Sequence, residues 1–393
     1  MRKRLLFAAL FTLAGLCAQA RGQEYPNYAP PGAAYPPGPY QPAAAGPYAQ
    51  VMQGPYGPGA QGPYGPAMQA PCCPAPAAAA TDCCGESCHG TCGDYHWDGF
   101  ADFLYMRPRN ANVAYGVVFN GPTDVPPAAA APIQVSPVSA VDIDYQPAWR
   151  VGIARALDEC SAVEMTYTHF QGGGDDSLST SPPLLIRSEV SQPSAWISNS
   201  LSDSLSAEAT QHMLFDLGDV DYRWTFASSQ QYSLTLLGGG RYCNFDQDFL
   251  GTFATGEGQT VQTHINFQGA GIRIGLEGEH RGAHGFFVYG RGTASFVAGD
   301  ARSTYVQTDF GLPTVETGYH SDRIVTMLDA EVGIGWMGPN ERFRVMGGYM
   351  MSGWFNALTT NDLVQAVQTN NFAGSLGSTL AFDGFFGRAE YRF

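Results

Sequence analysis

The sequence predicts an all-β fold: a transmembrane, antiparallel, up-and-down β-barrel of about ten strands over residues 97–393, behind a Pro/Gly/Tyr- and Cys-rich segment. Three observations predict it. The last seventeen residues, GSTLAFDGFFGRAEYRF, alternate with a period of two: Phe385, Gly387, Ala389, Tyr391 and Phe393 share one face, and Arg388, Glu390 and Arg392 the other. That pattern suits a wall between lipid and an aqueous lumen, whereas a soluble core rejects a charged row. The first twenty residues read as an export leader, with Arg2, Lys3 and Arg4 before an apolar run from Leu5 to Leu16 and Ala18-Gln19-Ala20 as the cleavage signal. Charged residues amount to only 14% of the 393, against 48 Gly, 20 Tyr and 23 Phe, and a lipid-facing wall takes few charges.

Taken in order, residues 1–20 are a Sec signal rather than an anchor. The run is too short for a bilayer core of about 30 Å, and Val125–Val141 is broken by Pro126, Pro127, Pro132 and Pro137. Cys17 invites a lipoprotein reading that Leu16, a large residue where a lipobox wants a small one, disfavours. Residues 21–96 are a tether. Gly-Pro-Tyr recurs at Gly38, Gly46, Gly54 and Gly62 among Ala, Pro and Gln, a proline density that suppresses helix and sheet and favours extended chain. It is read as a spacer, with stacking of its tyrosines on cell-wall material as the alternative.

Cys72, Cys73, Cys83, Cys84, Cys88 and Cys92 follow within 21 residues. Paired C-x-x-C spacing is absent and His89 is the single neighbouring imidazole, so disulfides are the expectation in an oxidising compartment and zinc the alternative. Vicinal pairs are awkward to join to each other, which favours cross-links to another copy or to a wall protein. Removal of the leader takes three of 20 cations and leaves about −18 against 35 acids, which argues against nucleic acid or anionic-lipid partners.

The barrel strands are expected at Trp97–Arg107, Ala148–Leu157, Ser161–Phe170, Asp219–Phe226, Tyr232–Tyr242, Phe267–Gly278, Phe286–Phe296, Ile324–Trp336, Phe343–Phe355 and the terminal segment. On the second, Trp149, Val151 and Ile153 face out and Arg150, Gly152 and Ala154 in. On the fourth, Val220, Tyr222, Trp224 and Phe226 oppose Asp219, Asp221 and Arg223. A charge placed at Trp224, on the lipid side near the midplane, is expected to cost about 2–4 kcal/mol and impair assembly. Long and short connections alternate, as in outer-membrane barrels with short periplasmic turns, so both termini are expected in the periplasm. Hairpins hidden at 108–146 or 171–211 would raise the count to 12 or 14.

The wording of several strands (ADFLYMRPR at 101, DYQPAWRVGIA at 144, LLGGGRY at 236, FQGAGIRIGLEG at 267, FFVYGRGTASF at 286, LDAEVGIGW at 328, DGFFGRAEYRF at 383) resembles the pore-forming outer-membrane proteins related to the Legionella major outer-membrane protein, abundant in planctomycetes. The resemblance implies a closed barrel and passive diffusion of small hydrophilic solutes. The terminal Tyr391 and Phe393 likewise resemble the signal read by the barrel-assembly machinery.

Lumen-lining candidates are Arg150, Glu164, Asp219, Asp221, Arg223, Arg241, Arg273, Glu277, Arg291, Asp329, Glu331, Arg388, Glu390 and Arg392. Rows of both signs set charge preference if the lumen is open; if it is not, they are cross-strand pairs filling a small barrel. No catalytic, cofactor or metal residues are expected. G-x-S-x-G, H-E-x-x-H and P-loop motifs are missing, the histidines are read as lying at strand ends or loops, and GGGR at 238 and GAGIRIG at 269 are read as glycines that let strands coil and keep the lumen open. The competing functions are a non-conducting barrel linking outer membrane to cell wall, and a secreted soluble binding barrel.

Overall fold

The structure is a computed structural model and describes residues 97–121, 133–192, 203–254, 258–309, 311–339, 341–372 and 376–393. The expected leader, the Gly-Pro-Tyr tether and the cysteines at 72–92 lie outside the described residues. In chain order the strands are β1 (Trp97–Arg109), β2 (Val113–Asn120), β3 (Ile133–Gln134), β4 (Ser139–Val141), β5 (Gln146–Ala156), β6 (Ser161–Ser179), β7 (Leu184–Ser188), β8 (Asp203–Ser204), β9 (Ser206–Ser228), β10 (Tyr232–Ala254), β11 (Gln259–Arg281), β12 (Phe286–Asp309), β13 (Leu312–Met337), β14 (Phe343–Ala357) and β15 (Ser378–Arg392).

Ten of them close a barrel in the order β1-β15-β14-β13-β12-β11-β10-β9-β6-β5, every pair antiparallel. The first and last strands make the seam, with Asp98 opposite Arg392 and Asp102 opposite Arg388. Backbone bonds between Trp97 and Phe393 tie both ends to the rim that carries the short turns. At the seam Gly384 has no room for a side chain, since a Cβ there would meet the Tyr105 carbonyl oxygen at 2.1 Å.

The barrel count stays at ten because the suspected hairpins do not enter the wall. They form a second sheet of β2, β3, β4, β7 and β8. That sheet packs, through Val113, Tyr115, Val141 and Ile186, on the inner faces of the long strands at Phe249, Phe253, Val261, Ile265 and Tyr305. Helix α1 (Thr360–Thr369) joins the same core with Leu363, Val364 and Val367. Its start is fixed by Thr359 and Asp362, whose side chains each satisfy the other's backbone N–H, and its end by Asn370 in the left-handed conformation. The rim opposite the short turns is therefore capped.

Six strands are much longer than expected, and polarity explains why. Near the turns, outward positions are apolar (Leu236, Ile272, Ile274, Leu328, Val332, Ile334) and inward ones charged (Arg241, Arg273, Glu331). Farther along, the phase inverts: Phe249, Val261, Ile265 and Tyr305 point inward and are buried, while Asp248, Gln262, His264 and Thr304 point outward. The inversion falls on one cross-strand row, His169–Asp216–Asn244–Gln268–Asp300–Asp322, continuous in register over six strands. The lipid-out, polar-in pattern ends at that row, which is why the sequence there reads as loop. His169, His212, His264 and His320 lie within strands, not in loops. A soluble barrel would keep its apolar face inside along the whole strand, which excludes that arrangement for the turn-side half.

All backbone bonds of the wall close on one another, so the barrel should resist detergent. The expected result is a mobility shift on SDS gels between unheated and boiled samples of the outer-membrane fraction. Recovery in the soluble fraction with one mobility would refute the barrel.

Candidate functional site

The lumen is the candidate site. All fourteen charged residues expected there point inward and take part in ion pairs. They fall into three clusters of ion pairs stacked along the bore. Near the turns, Arg392 reaches Asp98 and Glu390, and Arg344 pairs with Glu279 and Glu390. In the middle, Arg223 bridges Glu164 and Glu277, and Arg291 reaches Glu164 at 3.3 Å and Asp221 at 3.5 Å. Arg150 lies between Asp102 at 2.6 Å and Glu331 at 2.5 Å, while Arg388 donates to Asp102 at 2.7 and 2.9 Å. Deepest, Arg273 joins Asp221 to Asp219, and Arg241 joins Asp219 to Asp329.

Sequence reading missed Asp102, whose side chain is fully buried and which two arginines share. Its signal was present: Asp98, Phe100, Asp102 and Leu104 alternate with outward Ala101 and Phe103. What it lacked was the pairing of first strand with last. Arg344 and Glu279 were also missed, being at strand ends beside turns.

Two glycines outside the GGGR and GAGIRIG stretches make room for aromatic rings. Gly152 faces the Phe100 ring, 2.3 Å from where a Cβ would stand, and Gly335 likewise faces Phe287. The bare backbone lets each ring lie flat on the wall, and a guanidinium sits over each at 4.5 Å: Arg388 on Phe100 and Arg344 on Phe287. At these two positions the space left by the missing side chain is taken by a ring.

A vestibule of about 550 Å³ opens at the turn end, lined by Asp98, Glu164, Arg223, Glu277, Arg344 and Glu390 among others. Above it the arginines and acids close the bore. A cavity of about 40 Å³ remains between Arg241, Asp329 and Glu331 below and Phe215, Trp354 and Met106 above, room for a few water molecules. Beyond it Phe170, Phe215, Phe245, Trp354 and Phe382 interlock with ring centroids 4.9–5.6 Å apart and no ring more than 2% exposed. Buried Cys243 belongs to this apolar layer, and Cys160 to the turn between β5 and β6.

On the outer surface, rings crowd the turn end: Arg155 covers Trp97 at 5.3 Å, and Trp224, Phe226, Tyr391 and Phe393 are exposed, as expected of an interfacial girdle. At the inversion row, Tyr167 donates to Asp216, against which His169 also rests at 2.8 Å. Asp300, His320 and Asp322 bring ligand atoms within 4.8 Å of one another on this exposed face, away from the lumen. Past the row, the hydrogen bond that His264 donates to the Asp248 carboxylate pushes the His264 pKa up.

A family model described as "Legionella pneumophila major outer membrane protein precursor" matches residues 91–393. No curated protein matches the sequence. Among solved structures, the outer membrane protease OmpT from Escherichia coli is similar at 12% identity over 76% of this chain and 97% of its own, with a TM-score of 0.44. The Pseudomonas putida toluene transporter TodX matches at 9% over 75% and 68%, with a TM-score of 0.30. Acinetobacter baumannii CarO matches at 12% over 74% and 97%, with a TM-score of 0.22.

Proposed function

The chain belongs to the family of the Legionella pneumophila major outer membrane protein, and from that premise we propose that it is a narrow outer-membrane pore for small hydrophilic solutes, lying with both termini in the periplasm. One observation carries the reading: clusters of paired charges of both signs line the lumen one above another, beginning in an open vestibule and running most of the way across the lipid-facing zone. A barrel that only had to be filled would be as stable, or more so, with apolar side chains, since buried ion pairs seldom repay their desolvation. Charges on flexible arginines can rehydrate and part, as a path for polar solutes requires. The short turns, and the pairing of Trp97 with Phe393 at the same rim, support the periplasmic placement.

The pore has no catalytic role in this reading. The lumen carboxylates are neutralised by guanidinium groups, and the His169–Asp216 pair stands on the outward face beside Trp149. Its partners are the bilayer, the assembly machinery that reads Phe393, and the solutes.

The second reading, a non-conducting barrel that links the outer membrane to the wall, is favoured by the filled bore. Planar-bilayer recordings separate the two. Asp219→Ala with Asp221→Ala is expected to lower cation preference, and Arg273→Ala with Arg291→Ala to raise it, read as opposite shifts of reversal potential in a salt gradient. Folded protein that passes no current would leave the structural barrel standing.

A further inference from the structure

The charged layer closes the bore with groups that hydrogen-bond, and the ring layer above it closes the bore again with apolar ones. Taking the pore reading as given, we propose that Trp354 is the residue that sets the constriction, and that what passes is decided by whether its indole leaves the ring layer. Its centroid lies 5.3 Å from Phe215, 5.6 Å from Phe245 and 5.2 Å from Phe382, so it touches three of the other four rings. It is 1% exposed. An apolar constriction of this kind excludes water and ions by dewetting, whereas guanidinium and carboxylate groups offer hydrogen bonds to whatever enters.

Two features make Trp354 the moving part rather than one ring among five. The indole N–H donates to Ser352 Oγ at 2.9 Å, and Ser352 donates to Asp329 at 2.5 Å, which also accepts from Arg241 at 2.7 Å. The ring is thus held by the network that a passing ion would disturb. Two residues later, Asn356 has φ of 63° and the ladder slips between Phe355 and Ala357. The chain then leaves the wall through buried Leu358 into the cap helix α1. Phe170, Phe215 and Phe245 lie farther from such a break, and Phe382 stands near this one on β15. Trp354 alone of the five rings donates a hydrogen bond toward the ion pairs, and its strand runs on into the cap.

The test is conductance and liposome swelling with Trp354→Ala, Trp354→Phe and Ser352→Ala, each first shown to keep the heat-dependent gel shift. Trp354→Ala is expected to raise single-channel conductance several-fold and to admit larger neutral sugars. Trp354→Phe should stay near the parent, and Ser352→Ala, which frees the indole N–H, should raise open probability without changing the open level. If Trp354→Ala fails to fold, Phe382→Leu removes one contact of the indole and should show the same change in smaller measure. A parent that conducts and a Trp354→Ala variant with the same conductance and size limit would overturn the constriction while leaving the pore. Parent and folded Trp354→Ala both silent would instead overturn the pore itself.

Discussion

Replacing Asp102 with leucine is expected to cost the barrel about 3–5 kcal/mol, the largest effect of any single lumen change. Asp102 is fully buried, and Arg150 and Arg388 both donate to it. Removing it leaves Arg388, seated on the Phe100 ring, with only Glu331 at 3.8 Å. The loss is mostly the penalty of an uncompensated charge, so it should shrink when the charge goes too. Asp102→Leu with Arg388→Met should recover more than half of it, because Arg150 keeps Glu331 at 2.5 Å. Reversible denaturant unfolding in lipid vesicles, followed by tryptophan fluorescence, gives both values. Equal costs for single and double variants would show that the pair is not coupled.

An arginine at Leu328 is expected to destabilise the protein by about 2–4 kcal/mol, the cost of a cation at the midplane of the lipid face. Leu328 is 47% exposed and stands about midway on β13 between Trp336, beside the turn, and Asp322, where the apolar row ends. Trp224→Arg should cost only about 0–1 kcal/mol, as befits the interface. The structure places Trp224 opposite Ser161, next to the turn between β5 and β6, not at the depth first expected of it. The same unfolding experiment checks the contrast, and equal costs at the two positions would mean that the bilayer is centred elsewhere.

The turn-side half of the barrel was legible because one rule governs it. Strands such as Asp219–Phe226 alternate charge and ring without a break, and each was placed on the correct face. The outer half was not legible. There Phe249, Val261 and Tyr305 carry the apolar face inward, the reverse of that rule, so the alternation of β10 reads as ending at Tyr242 although the strand runs to Ala254. The cap was equally hidden, because β3 and β8 have two residues each and α1 draws its stability from partners distant in sequence. For the site, alternation identified which side chains line the lumen, but that they close it depends on lengths and pairings across the barrel. Arg150 meets Glu331 over 181 positions of chain, and no local pattern records that.

The row from His169 to Asp322, where the two faces exchange polarity, also divides how the protein tolerates change. The strands cross it without a break, so one continuous sheet answers to two opposite substitution rules. Exchanging threonine for leucine at an outward position is harmless or favourable between Val332 and Ile324 and harmful at Thr304, only a short way along the wall. Inward positions follow the opposite order. Drift, recombination or grafting of a strand from a relative therefore succeeds only when the donor's own exchange point lands on this row. A slip of two residues preserves every face and every hydrogen bond, yet carries carboxylates such as Asp300 about 7 Å along the strand toward the hydrocarbon. The alignment that selection must hold in this wall is thus the height of one line around the barrel, more than the identity of any residue above or below it.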